Sequence, residues 1–205
     1  DNDLDFDYFT TTYAGGAVNL NVLNQNDGGN NFNNVAAVAG VQDIPTYSII
    51  GWGAVFFDAN NDGGLDLYKA VGTIGASAGF GEFFVMPNRL YVNNHDATFS
   101  EMALAAGVQG KLNTQFQYTQ SRGVATADYD NDGRQDLYTV NVGTITPSNN
   151  VLVPGQHSLY HNETVTSDHW LKVRLKGDKP NHRAIGARVK VVSSGSSGVR
   201  TQLRE

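Results

Sequence analysis

The sequence predicts an all-β protein assembled from repeats of one small antiparallel sheet. Three observations carry this expectation. First, an acidic loop of nine residues occurs twice almost unchanged, as Asp58-Ala-Asn60-Asn-Asp62-Gly63-Gly64-Leu-Asp66 and as Asp128-Tyr-Asp130-Asn-Asp132-Gly133-Arg134-Gln-Asp136. Both read D-x-[DN]-x-D-G-x-x-D. Second, each loop is flanked by strand formers, with Gly53-Ala-Val-Phe-Phe and Gly123-Val-Ala-Thr-Ala leading in, and Leu67-Tyr-Lys-Ala-Val and Leu137-Tyr-Thr-Val-Asn leading out. Third, the sequence between the loops also repeats. Phe32-Asn-Asn-Val-Ala-Ala-Val-Ala-Gly-Val-Gln42 matches Phe99-Ser-Glu-Met-Ala-Leu-Ala-Ala-Gly-Val-Gln109.

Taken in order along the chain, the first element is a partial third copy of the loop. Aligning Asp7-Tyr-Phe with Asp136-Leu-Tyr puts Asp1 and Asp3 at the third and fifth loop positions, Leu4 at the glycine, and Asp5 at the seventh position. The first ligand would lie upstream of residue 1, so we expect the chain to be a fragment of a longer protein. Asn21-Val-Leu-Asn24 follows, with Leu90-Tyr-Val-Asn93 and Leu159-Tyr-His-Asn162 as later copies. Each complete loop falls at the tip of a β-hairpin. A period of about 60 to 70 residues holding roughly four short strands is the mark of radially repeated sheets, as in the blades of a β-propeller. About three such blades fit, over residues 1–165, whereas closure would need roughly twice the length. Segment 101–106 alone has a short helical look. Residues 166–205 are read as a separate small antiparallel β domain.

The loops carry the chemistry. Oxygen ligands at alternate positions, a glycine for the sharp turn and a closing carboxylate are what a hard cation such as Ca²⁺ requires. An EF-hand is ruled out, because position twelve is Lys69 or Thr139 rather than Glu and the flanks are strands. An ordinary Asn-Asp-Gly hairpin turn would explain residues 61–63 but not Asp58 and Asp66. Mg²⁺ fits less well, since it tends to keep its waters. The expected ligands are the side chains of Asp58, Asn60, Asp62 and Asp66 and of Asp128, Asp130, Asp132 and Asp136, with the backbone carbonyls of Gly64 and Arg134. Asp1, Asp3, Asp5 and Asp7 would form a third, weak or incomplete site, because Leu4 replaces the glycine.

These hairpins, with the N-x-L-Y-x-N and A-G-V segments after them, resemble FG-GAP/VCBS repeats, the calcium-loop blades also seen in integrin α-subunit propellers. The tail resembles an ASPIC/UnbV domain through His169-Trp-Leu-Lys-Val-Arg-Leu-Lys-Gly177, Ala184-Ile-Gly-Ala-Arg-Val-Lys190 and Arg200-Thr-Gln-Leu-Arg-Glu205. The pairing is similar to that of bacterial relatives of cartilage acidic protein. The resemblance departs from the pattern at Leu4, at Asn60, and in inserts at 25–31 and 72–88. It implies a calcium-stabilised propeller acting outside the cell.

Charge is divided along the chain. Residues 1–171 hold 18 acidic and 5 basic side chains, and residues 172–205 hold 2 acidic and 9 basic. In the tail, Leu171, Val173 and Leu175 alternate with Lys172, Arg174 and Lys176, and Val189 and Val191 with Arg188 and Lys190, a strand pattern with one apolar and one basic face. That basic face either complements the acidic blades or receives an acidic polysaccharide, partner or surface. Nucleic acid is disfavoured by the overall charge of −6 and the lack of a binding motif. With no cysteine in the chain, calcium would take over the work of a disulfide. The sequence contains no transmembrane run. Asn162-Glu-Thr164 has the form of a glycosylation sequon.

Catalytic patterns are weak. Gly75-Ala-Ser77-Ala-Gly79 has the G-x-S-x-G form, but a Gly-rich stretch ending in Pro87 follows it where a helix is required. His157, His161 and His169 lack a zinc spacing, and His161 and His169 read as strand or loop residues. Among the aromatics near the inserts, Tyr47, Trp52, Phe80, Phe83 and Phe84, Trp52 reads as core. We therefore expect an extracellular, non-catalytic calcium-binding protein for adhesion, recognition or assembly, meeting a protein or glycan at an extracellular surface. Two rivals are a carbohydrate-binding or carbohydrate-processing protein on the same scaffold and a self-assembling subunit of an extracellular polymer.

Overall fold

The computed structural model describes residues 4–12, 20–29, 31–42, 50–72, 87–111, 120–146, 151–195 and 198–204. They are all-β and form small antiparallel sheets. The first sheet holds β1 (Tyr8–Thr10), β2 (Val22–Asn26) and β3 (Phe32–Asn34). The second holds β4 (Gly51–Phe57), β5 (Asp66–Val71), β6 (Arg89–Asn93) and β7 (Phe99–Glu101) in sequence order. The third combines β8 (Gln120–Ala127) and β9 (Asp136–Val142); a hairpin of β10 (Thr144–Thr146) and β11 (Val151–Val153) then leads to β12 (Ser158–Tyr160), which returns beside β9. A second hairpin, β13 (Val189–Gly195) with β14 (Gly198–Arg204), ends the chain.

The three sheets are copies of one plan. Tyr8 pairs with Asn24, Leu67 with Tyr91 and Leu137 with Tyr160, each one residue beyond the last carboxylate of its loop. This register corrects the sequence alignment by two residues. Asn26, not Asn24, is the counterpart of Asn93 and Asn162, while Asn21 matches the buried Asn88. Resemblance of N-x-x-N to L-Y-x-N misled because the first copy has Asn24 where the others have tyrosine.

Burial explains the residue choices. Leu67 and Tyr91 join Leu23, Ala36, Ala39 and Val41 of the first repeat in one core, whereas Tyr68 and Leu90 join Leu137 of the third sheet in another. The second sheet thus lies between two others, and every residue of β5 is buried. In β9 burial alternates instead, and Tyr138, Val140 and Leu159 are exposed on the uncovered face of the third sheet. A strand whose burial alternates has one face in water, and one buried along its whole length is covered on both.

Bulges interrupt β4 and β8 at the same repeat position, between Gly51 and Ala54 and between Ser121 and Gly123. There the two strands adjoin. A β-carbon on Gly53 would lie 2.8 Å from the Arg122 carbonyl oxygen, so glycine lets the backbones approach. Trp52, expected in the core, is 37% exposed. Its indole donates to the Gly72 carbonyl at 2.9 Å, and Arg122 stacks 4.1 Å from the ring centroid. The bulge turns the ring out of the sheet toward a cation.

The helical look at 101–106 is a single turn. Ala106 donates to the Met102 carbonyl and Val108 to that of Ala103, with Gly107 at φ +71°. Residues 36–41 repeat it with Gly40 at φ +77°. This is a helix C-terminal closure with hardly any helix before it, and the left-handed glycine stops propagation. A further correction concerns 171–176, which have no ladder partner among the described residues and form no strand. Alternation supplies faces but not a neighbour to bond with, and β13 and β14 pair only with each other. The GxSxG match, Tyr47, Phe80, Phe83, Phe84 and most of the 72–88 insert lie outside the described residues.

The stacking gives a contrast at equivalent positions. Leu90 is buried under the third sheet and Leu159 is 54% exposed. Leu90→Ala is expected to cost about 2–5 kcal/mol in denaturant unfolding and Leu159→Ala within about 0.5 kcal/mol. Equal losses would contradict the assigned faces.

Candidate metal centre

Both complete loops span the tip of a hairpin, between β4 and β5 and between β8 and β9. Their shape follows from the residues. Asn61 and Asn131 take φ of +59° and +64°, and Gly63 and Gly133 take +87° and +88°. Asparagine and glycine are the residues that reach this region at least cost. Leu4, at the matching position of the amino-terminal loop, takes φ +83°. At its described residues the partial copy therefore shares that left-handed turn, with a leucine held in strained geometry.

In each loop the last carboxylate is a structural junction. Asp66 is fully buried; its Oδ2 accepts the Ala59 N–H and its Oδ1 the Asn93 N–H, both at 2.8 Å. Asp136 accepts the Tyr129 N–H at 3.1 Å and the Asn162 N–H at 2.8 Å. Asp7 accepts the Asn26 N–H at 2.9 Å. One carboxylate thus ties its loop to the third strand of the hairpin unit.

The other acidic groups line the turn. Asp58 accepts the Asp62 and Gly63 N–H groups, at 3.1 and 2.9 Å, and Asn60 accepts the Asp62 N–H at 3.0 Å and donates its amide to the Asp62 carboxylate at 2.8 Å. Asp62 accepts the Gly64 N–H at 2.8 Å, as Asp132 accepts that of Arg134 at 2.9 Å. Asp132 also donates its N–H to the Asp130 carboxylate at 3.2 Å. Asp128, Asp130 and Asp136 converge so that one oxygen from each lies within 4.8 Å of the others; an oxygen from each of Asp130 and Asp132 and a ring nitrogen of His161 converge within the same distance. Among the described residues only the second loop gathers such groups. In the first loop Asn60 stands where the second has the Asp130 carboxylate. Asp5 lies in the wall of a cavity of about 330 Å³ bordering the amino-terminal loop. Asp1 and Asp3 lie outside the described residues.

Two histidines absent from the expected set belong to the site. His95 Nε2 lies 3.0 Å from Asp62 Oδ2, and His161 Nε2 lies 2.9 Å from Asp130 Oδ2 and 3.7 Å from Asp132 Oδ2. The available signal was position, because both lie on or just beyond the strand whose asparagine holds the last carboxylate. Arg134, expected to act through its carbonyl, also extends its guanidinium to Asp132 and to the Asn162 carbonyl.

The loops are joined to each other. Asn61 donates its amide to the Gly133 carbonyl at 3.2 Å. Asn162 donates to the carbonyls of Ala59 at 2.8 Å and Gln135 at 3.1 Å. The sequon amide is thereby engaged in the fold. The tail reaches both loops as well. Arg200 donates to the Asp62 carbonyl, Lys172 Nζ lies 3.7 Å from Asp128 Oδ2 and 2.7 Å from Asn131 Oδ1, and a β-carbon on Gly133 would collide with the Trp170 indole.

Burial raises the carboxyl pKa of Asp66 to about 6 and that of Asp58 above its usual value, with the neighbouring Asp62 charge adding to both. The hydrogen bond to Asp130, with the surrounding carboxylates, raises the His161 imidazole. Burial and like charge both disfavour an ionised carboxylate, and a bound cation relieves both. No protein-family model matches this chain, and no curated protein matches it.

Asp66 fixes a sign for pH dependence. Its folded pKa lies above its ordinary 3.8, so in metal-free protein its contribution to stability is complete below about pH 3.8 and lost as pH rises through about 6. The melting temperature of chelator-treated protein, compared with that of Asp66→Asn between pH 4 and 7, should show this loss in the parent only. Parallel profiles would contradict it.

Proposed function

We propose that this chain is an extracellular calcium-binding protein of the FG-GAP/VCBS propeller type, acting without catalysis in adhesion, recognition or assembly. The observation that carries the reading is the convergence of Asp128, Asp130 and Asp136 in a loop whose turn residues already hold left-handed geometry. An all-oxygen set of hard carboxylates suits Ca²⁺ better than the nitrogen- and sulfur-preferring metals. Position seven supplies a backbone carbonyl from Gly64 or Arg134. The partial amino-terminal loop, with Leu4 in place of glycine, is a weaker third site. Calcium at this kind of site fills readily where the ion is plentiful, which favours the cell exterior.

The propeller part of the reading is supported by the three sheets of one plan stacked face to face, with the middle sheet covered on both sides. The exposed Tyr138, Val140 and Leu159 face calls for another such sheet. That same face favours, as a second reading, assembly with further copies. No helix among the described residues is long and apolar enough to cross a membrane.

Calorimetric titration of chelator-stripped protein should find two tight calcium sites and markedly weaker binding of Mg²⁺. Asp136→Ala should abolish one site, whereas Arg134→Ala, which keeps the carbonyl, should leave both. Absence of calcium binding, or two intact sites in Asp136→Ala, would overturn the assignment.

A further inference from the structure

The basic residues of the tail differ in what they meet. Lys172 and Arg200 are spent on the metal loops. Arg204 is half-buried and shares the field of Asp58, and Arg188 stacks 4.7 Å over the Phe6 ring. Arg174, Lys176, His182 and Arg183 differ. All four are exposed and line one open pocket of about 540 Å³, and among the described residues their side chains make no hydrogen bond or ion pair. Asp178 is the only acidic residue between 174 and 190, against six Lys and Arg.

The pocket is built rather than accidental. Gly177 donates its N–H to the His182 carbonyl at 3.1 Å, and Ala184 donates to that of Asn181 at 2.9 Å. The Asn181 side chain closes the turn twice, donating to the Ile185 carbonyl and accepting the Ile185 N–H, each at 2.9 Å. These bonds fold His182 and Arg183 back beside Arg174 and Lys176. The like charges of Arg174, Lys176 and Arg183 are thus held together by backbone and Asn181 bonds in which their own side chains take no part. Such an arrangement raises the local potential and attracts an anion, and two arginines add bidentate recognition of sulfate or carboxylate.

We propose that this pocket binds an acidic polysaccharide. Nucleic acid fits poorly, because no Phe, Tyr or Trp occurs between Leu171 and Glu205 to offer a base a broad stacking face. A duplex or a flat anionic membrane would also face the acidic second loop, which Lys172 reaches two residues before Arg174. A single anionic chain can follow the basic pocket and avoid that loop. The inference names a partner class for the recognition role above. It rests on that role only for the cellular location, so a chain that binds calcium but no polysaccharide overturns this inference alone.

The test is equilibrium binding of the calcium-loaded full chain to heparin and to a uronic-acid polymer, with neutral dextran, single-stranded DNA and polyglutamate alongside. Binding to heparin, to the uronic-acid polymer or to both, weakened by salt, is expected, and the arm that binds identifies sulfate or carboxylate as the group read. Arg174→Gln/Lys176→Gln/Arg183→Gln should weaken it at least about tenfold with an unchanged melting temperature, since all three side chains are exposed. Arg183→Gln alone should weaken it more than Lys111→Gln, a matched loss of charge elsewhere. Failure of both polymers to bind, an unaffected triple variant, or equal affinity for DNA or polyglutamate would overturn the proposal.

Discussion

The buried carboxylate that closes each acidic loop is the interaction on which the rest of the structure depends. Asp66 and Asp136 are all but inaccessible to water, and each holds two backbone N–H groups, one from its own loop and one at or just beyond the end of the strand paired beside it, β6 or β12. Burying a charge is costly unless it is paired and hydrogen-bonded. Two amide hydrogen bonds offset part of that cost, and the raised pKa of Asp66 shows that part remains. The cation proposed for the loop would supply the missing compensation. The residue that registers the strands is therefore also one that the proposed metal would neutralise.

This coupling extends between repeats. Asn162 donates its backbone N–H to Asp136, while its side chain donates to the Ala59 carbonyl of the neighbouring loop. Asn61 reaches across in the opposite direction to Gly133. Below the loops, Leu67 and Tyr68 bury opposite faces of one strand against two different sheets. Loop order and sheet stacking thus share the same few residues, and the acidic edge draws Lys172 and Arg200 of the tail toward it.

Much of this was legible in the sequence because repetition makes local chemistry visible twice. The D-x-[DN]-x-D-G-x-x-D spacing placed both hairpin tips, and Leu4 at the glycine position marked the partial copy that the backbone reproduces. What was missed depends on partners distant in sequence. His95 and His161 reach the loops from another strand, which no spacing rule reports. Trp52 lies at a bulge, so its alternation did not give its face. Residues 171–176 alternate like a strand but lack a neighbour to bond with, and no pattern within one segment can supply that neighbour.

The central claim is that metal and strand pairing are held by the same carboxylates. Amide hydrogen exchange at Asn93 and Asn162, whose N–H groups bond Asp66 and Asp136, tests it most directly. The account predicts that calcium slows exchange at both amides by about tenfold or more relative to chelator-treated protein, with smaller changes in β13 and β14. Equal protection with and without calcium, the ion being shown to bind, would contradict it.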